Sequence, residues 1–250
     1  MTANRVGAGR GWDWIVEGWR LFTQAPGLWI VMLLIYLVIN IVLSFIPLVG
    51  PVASTLITPA LIGGMLYGAD VLARGQALAV PHLFQAFQDQ QRLGPMLTLG
   101  ALLLGACVLL VLVAGGIIVG GALSSGVLNG GLNDDQMVAL MAGSGLIVLL
   151  FVLVVGLAIA MALFYAIPLV MLAGQAPWSK DSFSAGLNNF LPLLVFGLIY
   201  LGLSVLAVIP LGLGFLVLLP VTFGAVYASY RDVFSDPRTA GPGAPSLAKR

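Results

Sequence analysis

Apolar residues run through this chain in long blocks, separated by short stretches in which polar and apolar positions alternate at a helical period. Six blocks stand out, near residues 28–49, 52–73, 95–122, 141–171, 191–209 and 211–230. Each is close to or above the ~20 residues that a helix needs to cross about 30 Å of hydrocarbon, so the pattern predicts six transmembrane helices. The third and fourth blocks exceed that length and are expected to tilt or to project past the lipid. IPLVGP (46–51) and IPLGLG (209–214) place Pro and Gly where the chain must reverse within a few residues. The connection at 123–140 is longer and carries SSGVLNGGLNDD.

A different pattern precedes the first, third and fifth blocks. In GWDWIVEGWRLFTQAPGLW (11–29), Trp12, Ile15, Val16, Trp19 and Phe22 share one helical face. Asp13, Glu17, Arg20 and Gln24 share the other, with Glu17 and Arg20 spaced for a pair. This segment is too short and too polar to span. It is expected to lie in the headgroup layer, anchored by Trp12, Trp14, Trp19 and Phe22. PHLFQAFQDQQRLGP (81–95) is a second copy, with Phe84 and Phe87 as anchors and Pro95 as the turn into the next span. DSFSAGLNNFLP (181–192) is a third, with Phe183, Leu187 and the turn at Pro192.

After each turn comes a pair of spans, and each returning span carries a tyrosine followed by a small residue: Tyr67-Gly68, Tyr165-Ala166 and Tyr227-Ala228. IPL marks the hairpin tip in the first and third pairs. The expected fold is therefore an all-α, polytopic membrane protein of three like-oriented units, about 11–75, 81–174 and 181–232. Each unit is an interfacial amphipathic helix followed by a transmembrane hairpin. Residues 1–10 form a cytoplasmic tail, and 233–250 a disordered one.

Charge orients this layout. All ten Lys and Arg (Arg5, Arg10, Arg20, Arg74, Arg92, Lys180, Arg231, Arg238, Lys249 and Arg250) fall on one side of the six spans. The opposite side carries Asp134 and Asp135. The positive-inside rule then puts both termini in the cytoplasm of a bacterial inner membrane. Of 250 residues, 60% are hydrophobic and 8% charged, with a net charge of +1. This composition supports lipid as the main solvent and gives no support for nucleic-acid binding. Cys107 is the single cysteine, which excludes an intramolecular disulfide and a cysteine-based metal site. The first 27 residues hold no h-region with a cleavage site, so no cleaved signal peptide is expected.

GRGWDWIVEGWRLFTQAPGLW, HLFQAF and SFSAGLNNFLPLLVFGLIY together resemble a proteobacterial family of uncharacterised six-pass inner-membrane proteins. That family is similar in layout to the membrane domain of some glycerophosphodiester phosphodiesterases. The resemblance covers about residues 9–232. It implies the six-pass fold and carries over no chemistry, because no phosphodiesterase catalytic domain is present.

Few side chains qualify as candidates for function. His82, the only histidine, opens the second interfacial segment and suits a capping role. Asp70 is the acid closest to a span interior, with Arg74 four residues on, so a boundary ion pair competes with a substrate or proton role. Asn40 lies well inside the first span, where an interhelical hydrogen bond is expected. Asn188 and Asn189 precede the fifth span as helix caps. Small residues recur every fourth position at Ala60, Gly64 and Gly68, at Gly116, Gly120 and Ser124, and at Gly224 and Ala228, which predicts close helix packing.

Walker, zincin and nucleophile-elbow motifs are absent, and no cluster of carboxylates forms. No catalytic group, cofactor or metal site is predicted, and the expected partners are membrane lipids, with a protein partner or homo-oligomer open. Two functions fit: a non-enzymatic protein that organises lipid or partner proteins at the cytoplasmic face, or a carrier or channel for a lipid-like or small uncharged solute.

Overall fold

The computed structural model describes residues 3–124, 134–176 and 180–234, and every regular element among them is helical. α1 (Arg10–Gln24) leads into α2 (Pro26–Ser44) and α3 (Val49–Ala73). A 3-10 turn (Val80–Phe84) and α4 (Gln85–Gln88) lead into α5 (Gln90–Ser124) and α6 (Asp134–Ala173). α7 (Lys180–Asn188) leads into α8 (Phe190–Val208) and α9 (Phe215–Phe234). The order short, long, long thus occurs three times. Among the described residues, α2, α3, α5, α6 and α8 are long and apolar enough to cross a membrane. The sixth expected span falls on α9, which has 20 residues. Its last turns carry Ser229, Tyr230, Arg231 and Asp232, which lower its mean hydropathy and leave it outside that set of five.

Two boundaries differ from expectation. Asp89 Oδ1 accepts the Gln91 N–H at 3.0 Å, which starts α5 at Gln90 and leaves Pro95 inside the helix instead of at a turn. The second interfacial helix is correspondingly reduced to the 3-10 turn and the four-residue α4. Pro26 and Pro192 sit in the first turns of α2 and α8, where a missing N–H leaves no helical bond unmade. Both IPL tips place their leucine at positive φ, Leu48 at 64° and Leu211 at 55°, so the sequence echo is also a backbone echo.

The returning helices α3, α6 and α9 pack on one another, and each short element docks on the returning helix of the preceding triplet. The 3-10 turn and α4 sit on α3, α7 sits on α6, and α1, first in the chain, sits on α9. The seat is each time the small residue three positions before the tyrosine. A Cβ on Gly64 would meet Leu83 O at 2.0 Å, and one on Gly224 would meet Gly18 Cα at 2.8 Å. At the third seat, Ser182 Oγ donates to Ala162 O at 2.6 Å. Close backbone approach of this kind gives helices in lipid their dispersion contact, since hydrophobic exclusion contributes little there.

The tyrosines extend the same order. Tyr67 packs edge-on against His82, with ring centres 5.5 Å apart. Tyr165 Oη and Ser229 Oγ share a hydrogen bond of 2.8 Å, and Tyr227 Oη donates to Asp70 Oδ1 at 3.0 Å. Each tyrosine reaches the next triplet, and the last closes on the first.

α5 and α6 form a longer arm. Gly100 lies against Leu56, where a Cβ would come within 2.3 Å of the Leu56 carbonyl oxygen. From that register α5 continues about 25 Å beyond the start of α3 at 1.5 Å per residue. Leu109, Val111, Leu112, Ile118 and Val119 on this extension are exposed apolar side chains.

Candidate functional site

α1 has three sides, and each meets a different environment. Gly11, Trp14, Gly18 and Leu21 turn inward, where a Cβ on Gly11 would meet Pro192 O at 2.4 Å and one on Gly18 would meet Val221 O at 2.2 Å. Trp12, Val16 and Trp19 form an exposed apolar side, the two indoles at 57% and 51% exposure. Asp13, Glu17, Arg20 and Gln24 form the polar side, with Arg20 Nη2 and Glu17 Oε1 paired at 3.2 Å. Trp12 and Trp19 are thus open to the surroundings, as the anchor reading requires of them. Trp14 and Phe22 are not: both are buried in the protein, because an inward stripe runs between the two outer faces.

The burial of Trp14 has a polar purpose as well. Its indole Nε1 donates to Asp232 Oδ2 at 2.7 Å, and Arg10 Nε donates to the same oxygen at 2.8 Å. Arg10 Nη1 reaches Asp13 Oδ2 at 3.2 Å. Burial pulls the Arg10 guanidinium down, but Asp232 and Asp13 outweigh it and hold Arg10 above its ordinary value. Ahead of α1, the chain runs as a strap across α7 and α9. Asn4 N–H donates to Val233 O at 2.8 Å, and Val6 N–H donates to Asn189 Oδ1 at 2.9 Å. Asn189 Nδ2 donates to Asn4 O and to Ala185 O, each at 3.0 Å. Asn189 stands at the cap position of α8 but makes no capping bond with its side chain; fully buried, it tethers the strap. Asn188 Oδ1 accepts from Arg5 Nη2 at 3.1 Å.

Two cavities flank α1. A groove of about 460 Å³ opens between α1, α8 and α9, bounded by Trp12, Trp19, Leu203, Leu206, Ala207 and Val217. A polar cavity of about 290 Å³ lies toward the end of α9, bounded by charged residues of α1 together with Tyr227, Arg231 and Asp232. Val16 lines both. No family model, curated protein or solved structure matches the chain. A third cavity of about 260 Å³ lies beside Asp70, Arg74, Gln76 and Arg92, and a fourth, apolar, between α6 and α8.

The remaining candidates are placed as follows. Asp70 sits in the last turns of α3, 8% exposed, and pairs with Arg74 Nη2 at 2.6 Å while accepting from Tyr227. Asn40 Oδ1 accepts from Ser54 Oγ across α2 and α3, and its Nδ2 donates to Tyr36 O at 2.8 Å. His82 Nδ1 accepts the Ala79 N–H at 3.2 Å. Phe84 and Phe87 are half-buried with ring centres 6.4 Å apart, and Leu187 is exposed. The Phe183 side chain lies outside the described residues. Ala60, Gly64, Gly68, Gly224 and Ala228 are buried. Gly116 and Gly120 are not packing contacts: a Cβ on either meets nothing within 4 Å, because the arm of α5 runs past its neighbours there. Among the described residues, no group of His, Cys, Asp and Glu is arranged to hold a metal.

Sequence reasoning missed Asp232, Ser229 and the α8 side of the groove. It also missed the seat of α1, for which a signal existed. Gly11 and Gly18 lie seven residues apart on the Trp14 stripe, a spacing that keeps small residues on one helical face.

Proposed function

We propose that this chain is a six-span protein of a bacterial inner membrane with both termini in the cytoplasm. It acts without catalysis, organising lipid or partner proteins at the cytoplasmic face. The observation that carries this is the position of α1 between an apolar groove and an arginine-bearing polar cavity. Those two surfaces suit the two halves of a lipid, and of the two classes of partner they favour lipid.

α9 as the sixth span is supported by charge: only if it crosses do Arg231, Arg238, Lys249 and Arg250 join the other basic residues. The ordered docking of short elements on returning helices supports three like-oriented hairpins. It likewise supports the resemblance to six-pass inner-membrane proteins. A carrier fits less well, because Met65, Tyr165, Met171 and Tyr227 fill the core around α3, α6 and α9 as buried side chains. Native mass spectrometry of the purified protein with its co-extracted lipids tests the proposal. Retained phospholipid at a defined stoichiometry is the expected result. A stripped protein that retains no lipid, and shows solute flux in proteoliposomes, overturns it in favour of a carrier.

A further inference from the structure

We infer that one zwitterionic aminophospholipid straddles α1, with its phosphate on Arg231, its ammonium on Glu17 and one acyl chain in the groove beside Trp12 and Trp19. This rests on the lipid-organising function proposed above and names the lipid class. Only the width of α1, about 10 Å, separates groove from polar cavity, and Val16 belongs to both. A molecule with an apolar chain and a polar head can lie across the helix and satisfy each.

The charges at the polar cavity select the head. Among the described residues, three arginines, Arg10, Arg20 and Arg231, line that cavity together with three acids, Asp13, Glu17 and Asp232. A head bearing a phosphate alone would meet those acids uncompensated, whereas a head of both signs matches the cavity. The two ends are distinguishable. Arg10 is held by Asp232 and Asp13. Arg231 forms no ion pair among the described residues; it is engaged by the Tyr227 side chain, its guanidinium 5.8 Å from the centre of that ring. With five N–H donors and no ion pair, it keeps donors for a phosphate oxygen. Glu17 has a side chain 20% exposed, while Arg20, its pair, is 59% exposed. A pair whose cation is that exposed is weak and exchanges for a better-placed cation. The groove accepts a chain and refuses a head, since Leu203, Leu206, Ala207 and Val217 offer no polar side chain.

The test exchanges purified protein into micelles holding equal amounts of phosphatidylethanolamine and phosphatidylglycerol and reads retained lipid by native mass spectrometry. The wild type is expected to retain one phosphatidylethanolamine in preference. Glu17→Gln lowers the ratio of amino- to glycerol-headgroup lipid about tenfold, the loss of one charge-assisted hydrogen bond. Arg20→Gln raises that ratio about twofold by removing the competing cation. Arg231→Gln weakens retention of both lipids about tenfold. Leu203→Trp, which fills the groove, weakens both without moving the ratio. All four changes lie at solvent- or groove-facing positions, and the Arg20 variant supplies an effect of opposite sign that misfolding does not produce. A wild type that retains no lipid overturns the lipid function itself. Lipid retained without headgroup preference, or with a preference that Glu17→Gln and Arg20→Gln leave unmoved, overturns this inference alone.

Discussion

Glycine-to-alanine substitution should have opposite effects at Gly18 and at Gly116, and the structure sets both. At Gly18 a Cβ would sit 2.2 Å from the Val221 carbonyl oxygen and 2.7 Å from the Ala225 nitrogen. Ordinary contact begins near 3.4 Å, so α1 must back away from α9 by roughly an ångström. Both obstructing atoms are backbone, and neither can rotate aside. That displacement loosens Trp14, Ile15, Leu21 and Phe22, all buried along the same side of α1. Overpacking of this kind costs about 1–3 kcal/mol, which exceeds the gain of up to about 1 kcal/mol from replacing helical glycine with alanine. At Gly116 nothing lies within 4 Å, and only the gain is left, about 0.5–1 kcal/mol. Unfolding in mixed micelles titrated with sodium dodecyl sulfate, followed by tryptophan emission, measures both. Gly18→Ala should move the midpoint down and Gly116→Ala up. Equal shifts in the same direction would refute the account of α1 as a helix seated on α9.

Other outcomes follow from single contacts. Tyr227→Phe should cost more stability than Tyr165→Phe, about 1.5–3 against about 1 kcal/mol in the same unfolding assay, because the first bond goes to a carboxylate and the second to a hydroxyl. Leu48→Gly and Leu211→Gly should cost nothing, and relief of the positive φ at each tip can add about 1 kcal/mol. Leu43→Gly inside α2 should lose about that amount. Asn189→Leu should free the strap at residues 4–6, read as faster amide exchange at Val6 and proteolytic clipping ahead of Arg10. Trp14→Phe and Arg10→Gln should each destabilise and, in a double-mutant cycle, should couple, since both bind one oxygen of Asp232.

Contacts local in the chain are legible in the sequence. Apolar length announced the long helices, and the spacing of Asp70 with Arg74 and of Glu17 with Arg20 announced their pairs. Asn40 found its interhelical partner at Ser54, on the adjacent helix. The tyrosine-small motif and the IPL tips recur along the sequence, although the ring of contacts they make cannot be drawn from one dimension. Other features failed for physical reasons. Pro95 looked like a breaker, but capping by Asp89 starts the helix before proline can act. An amphipathic pattern has two sides and so groups Trp14 with Trp12 and Trp19, whereas α1 uses three. Gly11 and Gly18 mattered only once α8 and α9, nearly two hundred residues on, were known to cover them. The polar cavity depended on the same distant partner and was equally hidden.

The docking of α1 on α9 also constrains how the molecule can be made. A ribosome releases α1 before α9, so α1 waits for its seat while the helices between them are made. Until then its Trp14 stripe has no protein to cover it, and the membrane surface must hold it in the meantime. Trp12, Val16 and Trp19 keep an outward apolar side even in the finished fold, and they are available for that holding role from the beginning. The close contact between Gly18 and Gly224 forms only once α9 has been made, and with it the Trp14 stripe is covered. A chain stopped short of α9 would present Trp14, Ile15, Leu21 and Phe22, which the folded chain buries, whereas the Trp12 side stays outward in both.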